Sequence, residues 1–129
     1  MSRKDQKWSG KLTTANVEKV ARRLRELLTG KPFSLVIAEE HSNFKPVLRT
    51  TQALNPNDPI KVFCAGKGKG RRVSLLIHDS QGVTELKVNT PKKSHDSSIE
   101  LFSFQKRQVT FQGRLQGKLV YLVYGLEVK

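Results

Sequence analysis

The apolar positions between Val17 and Leu28 form the clearest periodic pattern in the chain. They recur at the spacing of a helix and fall on one stripe along it. Thr13 or Thr14 can cap the start of this helix, and Gly30 precedes a proline that ends it. The pattern predicts an amphipathic helix that packs its apolar stripe onto a sheet. The residues of the stripe are Val17, Val20, Ala21, Leu24, Leu27 and Leu28.

The opposite face of this helix is charged. Arg22 lies four residues from both Glu18 and Glu26, so local pairing neutralises most of its charge. We expect water rather than nucleic acid against this face, because charge on an outer helix face is usually solvated. The other basic residues of the face, which we expect to be free, are Lys19, Arg23 and Arg25.

Downstream of the helix, apolar and polar positions alternate with the period of two that a strand requires. We therefore predict an α+β fold, in which an N-terminal amphipathic helix packs on a twisted, mainly antiparallel β-sheet or half-barrel. The predicted strands cover residues 33–38, 47–51 (the weakest), 60–65, 73–79, 83–88, 99–104, 108–112 and 118–128.

Two hairpins can be given a register from the sequence. A turn at residues 81–82 pairs Ile77 with Leu86 and places His78 opposite Glu85 on the other face.

A turn at residues 116–117 pairs Phe111 with Leu122. The strand that follows this turn is apolar on both faces, so we expect it to be central or covered by the helix.

The chain length favours one domain. The sequence has 129 residues, of which 36% are hydrophobic, enough to build a core. We expect a basic, flexible N-terminal segment over residues 1–12, followed by a single α+β domain over residues 13–129. Trp8 in the first segment can stack on a base or fasten the segment to the domain, and we favour the second role.

The sequence offers no apolar run long enough to cross a bilayer, so we expect a soluble, intracellular, cytoplasmic protein with no membrane partner. Cys64 is the single cysteine, which excludes an internal disulfide and favours a reducing compartment. In an alternating strand it is expected to be a small core residue.

The excess of basic residues is the strongest indication of a partner. The chain has 24 Lys and Arg against 11 Asp and Glu, a formal net charge of +13. Such an excess is typical of proteins whose partner is a polyanion, and nucleic acid is the commonest one.

Basic residues alternate with glycine over residues 66–72, between two predicted strands, so this segment is expected at the tip of a hairpin, where its backbone can approach phosphates. It lacks the spacing of a nucleotide-binding P-loop. The candidate nucleic-acid contacts are Lys61, Lys67, Lys69, Arg71, Arg72, Lys92, Lys93, Lys106 and Arg107.

Phe102 and Phe104 are the candidate stacking platform for unpaired bases. They alternate on one strand face, opposite Ile99 and Leu101, and basic residues follow them at once. We expect them to be core residues instead, because phenylalanine is among the side chains most often buried.

Catalysis has one candidate constellation. Asp79, Glu85 and Lys87 resemble the spacing of a metal-dependent nuclease, whose two carboxylates must converge on one Mg²⁺. The predicted hairpin register places Asp79 and Glu85 on opposite faces, which argues against this site. We therefore expect no enzyme activity, no cofactor and no metal.

The expected function is non-enzymatic binding of RNA or DNA, mainly through phosphates. Two alternatives remain open. An adaptor that docks on an acidic protein would use an exposed strand edge and the basic loop. The second alternative, a metal-dependent nuclease, is disfavoured by the hairpin register.

Overall fold

A computed structural model describes residues 7–39, 47–57, 59–66, 72–80, 82–88, 98–115 and 118–126. These residues form a mostly β structure with one short helix, so the α+β class is confirmed in outline. The helix follows a first strand rather than opening the chain, which corrects the predicted order. The elements are β1 (Trp8–Lys11), α1 (Val17–Leu28), β2 (Phe33–Glu39), β3 (Val47–Gln52), β4 (Ile60–Ala65), β5 (Arg72–Asp79), β6 (Gly82–Val88), β7 (Ser98–Phe104), β8 (Gln108–Leu115) and β9 (Lys118–Leu126).

Helix α1 buries all six residues of the predicted apolar stripe. Its N-cap is Asn16, so the prediction of a threonine cap was wrong. The Asn16 side chain stabilises the approach to the helix instead, since its Oδ1 accepts from Thr13 N at 2.8 Å and its Nδ2 donates to Lys11 O at 2.8 Å. The helix ends before Gly30, whose φ is +73°. Among the described residues there is no helix with the length and apolar character that crossing a membrane requires.

The strands form one open sheet in the order β3-β2-β9-β8-β7-β6-β5-β4, with β1 paired to β7 beside this path. Every strand pair is antiparallel except β6 with β7, so the sheet is mixed but mainly antiparallel, as predicted. The predicted central position of the last strand is confirmed, because β9 lies between β2 and β8. The register of β8 with β9 is also confirmed, with Phe111 opposite Leu122.

The β5–β6 hairpin turns one residue earlier than predicted. Asp79 pairs with Gly82, so the hairpin turns between these two residues, and Leu75 rather than Ile77 lies opposite Leu86. Gly82 has a φ of +137°, which a residue with a side chain rarely adopts. Glycine therefore closes the hairpin as its first paired residue instead of forming part of the turn.

This shift moves the register by two residues, so every side chain keeps its predicted face but changes its partner. His78 lies opposite Val83, and the predicted pair of His78 with Glu85 was wrong. Glu85 lies opposite Leu76.

The prediction that Phe102 and Phe104 are core residues is confirmed, because they are 2% and 1% exposed. The Trp8 ring packs on both, with centroid distances of 4.6 Å to Phe102 and 5.7 Å to Phe104. Strand β1 is thus fastened to the sheet through Trp8, which agrees with the favoured role of this residue.

Strand β7 contains a bulge that joins two parts of the sheet. Ile99 pairs with Gly113 and Leu101 with Gln112, so Glu100 is an extra residue on β7. The bulge lets Ile99 be buried on the same side as Phe102, which corrects the prediction that it lies on the opposite face. Strand β6 joins β7 through the single pair of Val88 with Ile99. The hairpins β4–β6 are therefore attached to the larger part of the sheet at this junction and through the core under α1.

Candidate nucleic-acid interface

We use the name outer face for the side of β4–β6 that points away from the buried core under α1. In β4 the alternation directs Ile60, which is buried, toward the core and Lys61 and Phe63 outward. The Phe63 side chain is 49% exposed, so a large aromatic ring lies at the surface of the sheet. Its position follows from strand geometry, because it shares the strand face of Lys61.

Three basic side chains belong to the outer face around Phe63. Phe63 lies opposite Ser74, and Ser74 lies opposite Lys87 on the next strand. Lys61 is two residues before Phe63 on β4, and Arg72 is two residues before Ser74 on β5. All three basic residues are exposed. Opposed residues in a sheet lie about 4.5 to 5.5 Å apart, so the three charges are all within reach of one bound strand.

A small cleft borders the Phe63 ring. It has a volume of about 160 Å³ and is lined by Phe63, Arg72, Ser74, Glu85 and Lys87, together with two core valines. Ser74 is only 4% exposed, and its hydroxyl donates to Glu85 Oε2 at 2.7 Å. This bond fixes a carboxylate beside an exposed aromatic ring. The cleft therefore combines a stacking surface, a hydrogen-bond acceptor and positive charge.

Helix α1 holds the strand that carries Phe63. Arg25 Nη2 donates to Ile60 O at 2.8 Å, so a guanidinium binds the first carbonyl of β4. Arg23 lies 5.7 Å from the centre of the Phe104 ring, within cation–π range. The prediction that these two arginines are free was therefore wrong. Both stabilise the structure on the helix side, away from the outer face.

The predicted site residues occupy two separate places. Lys61 and Arg72 belong to the outer face, whereas Lys106 and Arg107 are exposed in the turn after β7. The pairing of β5 with β6 and of β6 with β7 places Arg72 level with the start of β7, whereas Lys106 and Arg107 follow the end of β7. The length of β7, about 20 Å, therefore separates the two places. The remaining predicted contacts lie outside the described residues: Lys67, Lys69, Arg71, Lys92 and Lys93.

Phe63 and Ser74 were not predicted as parts of any site, and Lys87 was considered only for the nuclease constellation. The signal for Phe63 was present, because successive side chains of a strand point to opposite faces, which separates Phe63 from the buried Ile60 and groups it with Lys61. Cys64 is exposed, so its predicted core position was wrong. Cys64 lies on the core side of β4, but β4 is the edge strand of the described sheet, so Cys64 has a neighbouring strand, β5, on one side only.

The carboxylates of the nuclease hypothesis lie on opposite sides of the sheet, as their predicted faces require. Asp79 is 8% exposed on the core side, and Glu85 is exposed on the outer face. Within the part of the chain that the structure describes, no group of three His, Cys, Asp or Glu side chains could hold a metal ion.

A second cavity of about 300 Å³ is lined by residues of β2, β6, β7, β8 and β9, and Glu85 and Lys87 border both this cavity and the cleft. Ile37, Leu86 and Leu122 contribute to its apolar walls. The Ser98 hydroxyl also lines it, 2% exposed and with no hydrogen-bond partner among the described residues. None of the described residues that line this cavity is aromatic, so the outer face is the better candidate for recognition of nucleic acid. Comparison of the chain with protein-family models, with curated proteins and with solved structures gives no match, and its function must be argued from this geometry.

Proposed function

We propose that this protein is a non-enzymatic nucleic-acid-binding protein that contacts RNA or DNA through the outer face of β4–β6 and the basic loop of the same hairpin. The observation that carries the proposal is the half-exposed ring of Phe63, surrounded by Lys61, Arg72 and Lys87. Proteins that bind single strands combine these two features, a positive surface that follows the backbone and an aromatic ring on which a base stacks.

Charge supplies most of the affinity in this proposal. Each lysine or arginine that neutralises a phosphate releases a condensed counterion, so binding weakens as salt rises. The net charge of +13 favours this mode, and the segment at residues 66–72, which joins β4 to β5 in the sequence, adds Lys67, Lys69, Arg71 and Arg72. Stacking on Phe63 adds a preference for unpaired bases, because bases inside a duplex do not present their faces.

The test is a salt titration of binding to single-stranded RNA, single-stranded DNA and duplex. If about five phosphates are neutralised, the slope of log affinity against log salt is about −3.5 for single strands and about −4.5 for B-DNA. Replacing Lys67, Lys69, Arg71 and Arg72 together with alanine should flatten the slope. An unchanged slope in this variant, with a native circular dichroism spectrum, would exclude the loop as the main contact.

Single substitutions on the outer face sharpen this test. Lys61→Ala and Lys87→Ala should each reduce the single-strand slope by about 0.7. Lys118→Ala is the matched control, because Lys118 is an exposed lysine of β9, on the far side of the β6–β7 junction. Equal slopes in all three variants would contradict the assignment of the outer face.

One observation favours a second function, an adaptor for an acidic protein. Strand β4 is the edge of the described sheet, and Lys61 and Phe63 form the backbone hydrogen bonds with β5. The backbone groups of Val62 and Cys64 therefore point toward the edge that no described strand covers. A partner strand can add to such an edge. Absence of binding to any nucleic acid at low salt would favour this function over the first.

A further inference from the structure

We infer that the cleft beside Phe63 binds one unpaired guanine base and thereby gives the protein a base preference. The inference rests on the proposed function and adds to it the identity of the base. It follows from the juxtaposition of an aromatic ring, a fixed carboxylate and a lysine on one face of three adjacent strands.

The carboxylate and the lysine are spaced along one strand. Glu85 and Lys87 are two residues apart on the outer face of β6, so their Cα atoms are separated by about 7 Å. Both line the cleft that Phe63 borders. A base that stacks on the ring therefore presents its edge to a negative group and a positive group side by side.

The Watson–Crick edge of guanine matches this arrangement. It carries two adjacent donors, N1–H and the N2 amino group, and next to them the O6 acceptor. A carboxylate accepts from both donors with its two oxygens, and a lysine ammonium donates to O6. The other bases fit less well, because adenine and cytosine offer one amino donor each. Uracil and thymine present their single N3–H between two carbonyl oxygens, which a carboxylate repels.

The cleft favours this contact in two further ways. The hydrogen bond from Ser74 to Glu85 Oε2 reduces the freedom of the carboxylate before a base arrives, and an ionised carboxylate has about four acceptor positions, so one bond leaves capacity for two more. The volume of about 160 Å³ is below the range of about 300 to 1,000 Å³ typical of pockets for drug-sized ligands. Its size suits one planar base rather than a larger ligand.

The experiment measures the affinity of the full chain for a short oligouridylate in which the central nucleotide is uridine, guanosine, inosine, adenosine or cytidine. One central guanosine cannot form the guanine assemblies that complicate longer G-rich strands. We expect guanosine to bind about 5- to 150-fold more tightly than uridine, the range that one bidentate base contact supplies. Inosine lacks the N2 amino group and should be intermediate.

Two variants assign the preference to the cleft. Glu85→Gln keeps an oxygen that can accept from Ser74 but removes the negative charge, and it should reduce the guanosine preference to about twofold or less. Glu18→Gln makes the same change of charge on the exposed face of α1 and should leave the preference intact. Phe63→Ala should weaken binding to every oligonucleotide by about 5- to 150-fold through loss of stacking. Its control, Val83→Ala, truncates a side chain that is 59% exposed on the same face but outside the cleft, and should have little effect.

The outcomes separate this inference from the function on which it rests. Salt-dependent binding with equal affinity for all five oligonucleotides would overturn the guanine site and leave the proposed function standing. A guanosine preference that survives Glu85→Gln in a folded variant would also overturn it. No binding to these oligonucleotides at low salt would overturn the guanine site, and if single-stranded DNA and duplex also failed to bind, the proposed function would be overturned with it. Thermal melting of each variant identifies any loss of binding that is due to unfolding.

Discussion

Gly113 of β8 lies where the bulge of β7 brings two backbones unusually close. A Cβ atom added at this position would meet Ser98 O at 2.2 Å and Ile99 Cα at 2.7 Å. Both contacts are with backbone atoms, which cannot rotate away as the end of a side chain can. Gly113→Ala must therefore displace the start of β7, the segment that joins β6 to the rest of the sheet.

The size of the effect follows from these distances. Real Cβ atoms almost never approach another atom closer than 3.0 Å, so the Ser98 carbonyl must move by at least about 0.8 Å. Overpacking of this kind costs about 1 to 3 kcal/mol, and we expect the upper part of that range because a paired strand must shift. Alanine also restricts the unfolded chain, which offsets about 0.4 to 1 kcal/mol. The expected net loss of stability is about 2 kcal/mol.

The assay is urea and thermal unfolding followed by circular dichroism. At about 4 °C per kcal/mol for a domain of this size, Tm should fall by about 8 °C. Gly125→Ala in the neighbouring strand β9 is the control, because the nearest atom to its added Cβ is Gln108 Cβ at 4.0 Å. That variant should be as stable as the original protein or slightly more so. If Gly113→Ala were as stable as Gly125→Ala, the close approach of β7 to β8 would be wrong.

Four further predictions use the same unfolding assays or a simple activity test. Phe104→Ala should lower the free energy of unfolding by about 3 to 5 kcal/mol, since the ring is fully buried, and a loss below about 1 kcal/mol would contradict its core position. Arg25→Ala should cost about 1.5 to 3 kcal/mol, the contribution of a hydrogen bond to a charged donor, and an unchanged Tm would show that this bond does not matter. Ser98→Ala should keep or raise stability by about 1 kcal/mol, because it removes a buried hydroxyl without a partner among the described residues, and a marked loss would indicate that this hydroxyl is bonded. With Mg²⁺ or Mn²⁺ the protein should leave labelled RNA and DNA uncut, and cleavage that Asp79→Ala or Glu85→Ala abolishes would establish the nuclease instead.

The local parts of the fold could be predicted from the sequence because one periodicity determines them. The apolar stripe of α1 and the alternation of β8 each require one arrangement, and a shift of β8 by one residue would turn Gln112 and Arg114 toward the core. Phe111 lies opposite Leu122, and a shift by one residue would turn the Phe111 side chain away from the core.

The parts that were missed depend on contacts that alternation leaves undetermined. A shift by two residues keeps every face, so the pattern fits Leu86 opposite Ile77 as well as Leu86 opposite Leu75, and the positive φ of Gly82 decides between them. The bulge at Glu100 has no periodic signal of its own. The cap at Asn16 is fixed by its bonds to the preceding backbone, which a ranking of capping residues does not include.

Only part of the candidate site could be predicted from the sequence, because the site depends on the register of neighbouring strands. The composition indicated a polyanionic partner, and the hairpin of β4 and β5 places Lys61 and Arg72 on one surface. Lys87 comes from the next strand, so its place beside Phe63 depends on the β5–β6 register that the sequence left ambiguous. A binding surface that spans three strands requires two correct registers, whereas a core face requires only correct alternation.

Phe63 and Phe104 show why the class of a residue does not decide its role. Both are phenylalanines on strands with basic residues close by in sequence, Lys61 for one and Lys106 for the other. Trp8 and α1 cover the ring of Phe104, whereas the ring of Phe63 lies on the side of the sheet that the helix does not cover. The Phe63 ring stays exposed in the folded protein, so a ligand that buries it gains hydrophobic and stacking free energy on binding. Substitutions on the outer face can change affinity at nearly constant stability, and this separation makes the interface testable residue by residue.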